Sequence, residues 1–147
     1  AVLKQDVNYL KGEFGRFKGK EFERTVRERY YAYFGRLLKK AKLLDMPALV
    51  EQIDEAEERG EISSEERESL FELDLVVCGK IRSTGKEVVL AVEVSYSLYP
   101  EDLERAKKRA QVLTKVLKQE VIPAVVYVEA KEKVLEGEEV LLIHVKY

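Results

Sequence analysis

Apolar side chains recur every three or four residues between Glu21 and Leu44, at Phe22, Val26, Tyr30, Tyr33, Leu37, Ala41 and Leu44. Positions so spaced fall on one face of an α-helix, and the pattern predicts one amphipathic helix across the whole span. Upstream, Leu3, Val7, Leu10, Phe14 and Phe17 keep a similar spacing, interrupted by Gly12, Gly15 and Gly19. Residues 1–17 therefore read as the tail of a helical or coiled-coil segment, and residues 18–147 as the folded domain. A small domain would not bury those five apolar residues alone, so a homodimer is expected. Pro47 and Gly60 bracket a second helix whose apolar stripe is Leu49, Ile53 and Ala56. Ser63 and Glu66 form a capping box for a short third helix that runs to Leu70.

Beyond residue 70 the period drops to two. Phe71, Leu73, Leu75 and Val77 alternate with Glu72, Asp74, Val76 and Cys78, which predicts a strand over residues 71–79. The turn residues RSTGK follow, and EVVLAVEVS over 87–95 returns as a second strand, making a hairpin. The next segment opens with Pro100 and acids and ends in bases, matching the helix dipole, with Leu103, Ala106, Ala110, Leu113 and Leu117 on its buried stripe. A crossover helix there brings Ile122 to Val128 back parallel to the strand that holds Glu93, and VLLIHVKY supplies a last strand. The expected class is α/β or α+β: a mixed β-sheet flanked by helices.

One residue breaks the apolar pattern. Glu93 lies among Leu90, Ala91, Val92 and Val94, where a lone carboxylate would lose hydration on the order of several kcal/mol. A hairpin turning about residues 82–85 pairs positions whose numbers sum to 167, and 74 and 93 do so. Asp74 and Glu93 should then face each other, two like charges that a divalent cation would bridge, since Mg²⁺ takes a few carboxylate oxygens plus water and phosphate oxygens. A bland alternative pairs Glu93 with a base such as Lys107.

An Asp in one apolar strand, a Glu in the next and a basic amphipathic helix beyond resemble the PD-(D/E)XK nuclease superfamily, the restriction-endonuclease-like fold that includes Holliday-junction resolvases. The resemblance covers roughly residues 18 to 128, and the chain is similar to proteins in which a coiled-coil stretch precedes such a domain. It implies Mg²⁺ or Mn²⁺ held by Asp74, Glu93 and the Val94 carbonyl, with Glu23 contributing and Glu21 its rival. It also implies a lysine two residues after the Glu, where this chain has Ser95. A hydroxyl cannot do a cation's work, so Lys107 or Lys108 from the following helix is the candidate replacement. The implied activity is hydrolysis of nucleic-acid phosphodiesters, most naturally DNA. The alternative that Ser95 motivates is a degenerate module that binds nucleic acid or oligomerises without cleaving. A purely structural protein would leave the Asp74 and Glu93 pair unexplained.

Composition narrows the remaining classes. At 147 residues and 46% hydrophobic, one globular domain is expected. No apolar run approaches the ~20 residues of a membrane span, and a single cysteine excludes an internal disulfide framework, which points to a soluble, cytoplasmic chain. The start at Ala1 suggests residues cut from a longer protein or processed. Charged residues at 37%, with Asn, Met and Cys once each, follow the thermophile bias. Net charge is −2, yet residues 1–44 hold 12 bases and 5 acids, whereas residues 45–72 hold 2 bases and 11 acids. Arg24 and Arg27, among the tyrosines of the first helix, are candidates for phosphate contacts, although helix packing explains most of the aromatic residues. His144 has no partner at ligand spacing and reads as a core or edge histidine. No Gly-rich phosphate loop or hydrolase triad is present.

Overall fold

The computed structural model describes residues 19–131 and 139–147. Its elements in chain order are α1 (19–28), α2 (Tyr30–Phe34), β1 (Leu38–Leu44), α3 (Met46–Glu58), α4 (Ser64–Leu70), β2 (Leu75–Ile81), β3 (Glu87–Leu98), α5 (Pro100–Leu117), β4 (Val121–Ala130) and β5 (Leu141–His144). The heptad-like residues Leu3 to Phe17, and with them the expected dimer contact, lie outside the described residues.

The five strands pair in the order β1-β2-β3-β4-β5. The first two pairings are antiparallel and the last two parallel, so this is an α+β protein with a mixed sheet. The β2–β3 register has Leu75 opposite Val92 and Val76 opposite Ala91, pairs that sum to 167 as the turn chemistry implies. Alternation along β3 sends Val88, Leu90 and Val92 into a core under α1 and α2, with Phe22, Val26 and Phe34. Val89 and Ala91 enter the opposite core, with Ile53, Leu70 and Leu113 from α3, α4 and α5. Burial on both faces explains why the strand reads as an almost unbroken apolar run. Among the described residues no helix is long and apolar enough to cross a membrane.

The helix expected from Glu21 to Leu44 does not form as one element. Its first half is α1 and α2, and its second half is the edge strand β1. The break falls at Gly35, whose N–H bonds the Tyr31 carbonyl and where any Cβ would stand 2.3 Å from that carbonyl oxygen. A bulge also breaks the alternation of β1. Lys39 pairs with Lys80 but Lys42 with Cys78, so β1 spends three residues where β2 spends two. Leu38, Ala41 and Leu43 thus reach one core, while Leu44, which shares helical spacing with Leu37 and Ala41, packs against the other. The strand expected at 71 begins at Leu75, leaving Asp74 just ahead of it. Helices α3, α4 and α5, the Ser63–Glu66 capping box and the parallel β4 are as the sequence implies.

Candidate functional site

Asp74 and Glu93 occupy one end of the hairpin. Continuing the ladder past Leu75 and Val92 sets them opposite each other, and both line a cleft of about 310 Å³. Glu72, Val94, Ser95, Asp102, Arg105 and Arg109 complete its wall. The Asp74 Oδ2 accepts the Val94 N–H at 2.7 Å, which ties the carboxylate to β3. From α1, Arg27 donates to the Asp74 main-chain carbonyl, and Glu23 brings a third carboxylate against the Asp74 side chain.

The charge on Glu93 is held by Arg109. Both are buried, at 5% and 7% exposure. One terminal nitrogen of the guanidinium donates to Glu93 Oε1 at 2.5 Å, the other to Glu72 Oε2 at 2.8 Å, and Nε to Ser69 Oγ at 3.1 Å. An ordinary lysine could not span three acceptors in this planar fork. The base that meets Glu93 is Arg109 and not Lys107, the residue expected from the sequence. The signal was present: Arg109 falls between Ala106 and Ala110 on the buried stripe of α5, where an arginine has no business without an acid to meet.

Burial is the main reason that the Asp74 carboxyl is pushed up to about 8, against the pull of the Val94 N–H, and the charges of Glu23 and Glu93 add to it. Burial also raises Glu93, while Arg109 and Arg105 act to lower it. Guanidinium charges offset burial at Glu93, whereas neighbouring carboxylates add to it at Asp74, so a proton held by this cluster belongs on Asp74.

Ser95 lines the cleft, but its hydroxyl is engaged, 2.6 Å from the Ser97 carbonyl and 3.3 Å from Asp102 Oδ2. Asp102 caps α5, accepting the Tyr99 N–H at 2.8 Å, and meets Arg105 at 3.1 Å. The expected replacement lysines stand elsewhere. Lys107 is 3.4 Å from Glu104 and lines a different cleft, with Thr114 and Pro123, and Lys108 is exposed. The α5 bases that reach the carboxylates are Arg105 and Arg109. Arg24 pairs with Glu28 at the surface, and Glu21 is exposed on α1. His144 bonds the Val128 carbonyl and stacks beside Tyr127, a β-edge role.

Among the described residues no three His, Cys, Asp or Glu side chains form a ready metal cage. One Asp74 oxygen is committed to Val94 and one Glu93 oxygen to Arg109, leaving a sparse set of hard oxygens. Such a set fits Mg²⁺ or Mn²⁺, which keep several waters, and not Zn²⁺, which needs a nearly full set of protein ligands. Comparison with protein-family models, with curated proteins and with solved structures returns no significant match for this chain.

Proposed function

We propose that the chain is a metal-dependent nuclease of the PD-(D/E)XK type, acting on nucleic-acid phosphodiesters and most naturally on DNA. The observation that carries this reading is the facing of Asp74 and Glu93 at one cleft that also holds two arginines. Asp74 and Glu93 would hold Mg²⁺ or Mn²⁺, with Glu23 beside them and the Val94 carbonyl as a further oxygen. When bound, the ion supplies Lewis acidity toward the phosphodiester. Arg105, half exposed and bonded at only one nitrogen to Asp102, fills the charge role for which Ser95 is unsuited, facing the phosphate oxygens from α5. Arg109 positions Glu93.

A second reading, a module of this fold that binds nucleic acid without cleaving it, is favoured by the full engagement of the Arg109 fork and of the Ser95 hydroxyl. Incubation with labelled single-stranded and branched DNA in Mn²⁺ separates the two. The nuclease reading expects nicking by the wild type, at least about a hundredfold less with Glu93→Gln, and weaker nicking with Arg105→Ala. Binding without nicking across DNA and RNA substrates would leave the module.

A further inference from the structure

At the far end of the same hairpin, the face that α5 covers elsewhere opens into a second cleft of about 430 Å³. Lys80 is six residues on from Asp74, about 20 Å at the usual strand rise. Lys40, Lys42 and Lys80 line this cleft, over apolar groups from Leu44, Cys78 and Val89, with Glu87 and Gln119 on its wall.

Three features make these lysines unusual. Lys39 and Lys80 are direct cross-strand partners, a like-charge pairing that costs stability. Lys40 sits in the left-handed region at φ 57°, a conformation that bulky residues avoid, and the bulge aims it out of the strand's alternation. Gly79 lets the bulged strand close in, since a Cβ there would stand 3.1 Å from the Lys39 carbonyl and 3.3 Å from the Ala41 Cα. Among the described residues no carboxylate is ion-paired with Lys40, Lys42 or Lys80, although Glu87 is the cross-strand neighbour of Lys80 on β3. Lysines and a bulge on β1 also blunt a sheet edge. Lys80 is on the second strand, where there is no edge to blunt.

We propose that this cleft binds a nucleotide-sized organic phosphate, its phosphate among Lys40, Lys42 and Lys80 and its organic body over Leu44, Cys78 and Val89. The volume lies at the small end of the range for ligand pockets, which suits a mononucleotide better than a dinucleotide cofactor. The carboxylate cleft takes no part in it.

Cys78 is the single cysteine and lines the cleft, so its thiol reports occupancy directly. The experiment follows Cys78 modification by a neutral aromatic disulfide during titration with ADP, alongside calorimetric titration of the same nucleotide. ADP should slow modification saturably and give a single calorimetric site, unchanged in Asp74→Asn. Lys42→Glu with Lys80→Glu should weaken both by about tenfold or more, the loss of a charge-assisted contact, while keeping a charged edge and a cooperative melt. The single variants should each weaken binding less. Pyrophosphate binding as tightly as ADP would overturn the organic half of the proposal. No calorimetric binding at millimolar ADP, or ADP binding unaffected by the double variant, would overturn it entirely and leave the β1 lysines to edge protection alone.

Discussion

The two clefts stand at opposite ends of one β-hairpin and treat charge in opposite ways. At the Asp74 end, charges of both signs are brought indoors and bonded to each other, with Arg109 serving three acceptors. At the Lys80 end, three lysines outnumber the one acid, Glu87, and stay at the surface around an apolar floor, none of the three ion-paired among the described residues. Solvent explains the difference. An exposed lysine keeps its hydration and costs little alone, whereas Glu93 inside the three-layer stack requires a cation of fixed geometry. Mutation should therefore cost much at one end and almost nothing at the other.

The largest expected effect comes from Arg109→Met, which strands Glu93 without a partner. About 3 kcal/mol should be lost, roughly 10 °C in melting temperature for a domain of this size. Adding Glu93→Gln should restore part of it, because the uncompensated charge is then gone; a double variant no more stable than the single would break the contrast. Titration is the next test, in metal-free buffer. Asp74 is raised when folded, so the native state holds a proton that the unfolded chain has released. Stability should fall as pH rises from about 4 to about 8, then level off, with Asp74 the main contributor to the decline. Denaturant melts of Asp74→Asn should lack that share of the slope and be the more stable protein at pH 9. The smallest effect belongs to the lysine end. Lys39→Glu should stabilise by no more than about 0.5 kcal/mol, replacing a like-charge cross-strand pair by an opposite one, and the gain should shrink in high salt.

Much of this arrangement was legible in the chain. The turn at RSTGK fixes which residues face each other, so the opposition of Asp74 and Glu93 follows from counting. The stripes of α3 and α5 follow from spacing that no bulge disturbs. Sequence failed where one inserted residue broke the alternation, as in β1, because Leu37, Ala41 and Leu44 keep helical spacing and hide the bulged strand in which Leu38, Ala41 and Leu43 reach one core. It failed again at the partner of Glu93. Lys107 and Arg109 are two residues apart on α5, about 200° around the helix, and which of them meets the sheet depends on how the whole helix is rolled against it. That roll is set by Ala106, Ala110 and Leu113 together.

The central claim is that the acidic cluster at Asp74 is a cation site. Thermal melts with and without millimolar Mg²⁺, at pH 8, test it most directly in the wild type and in Asp74→Asn. The account predicts that Mg²⁺ raises the wild-type melting temperature by several degrees and leaves Asp74→Asn unmoved. An equal response in the two proteins, or none in the wild type with either Mg²⁺ or Mn²⁺, would contradict it.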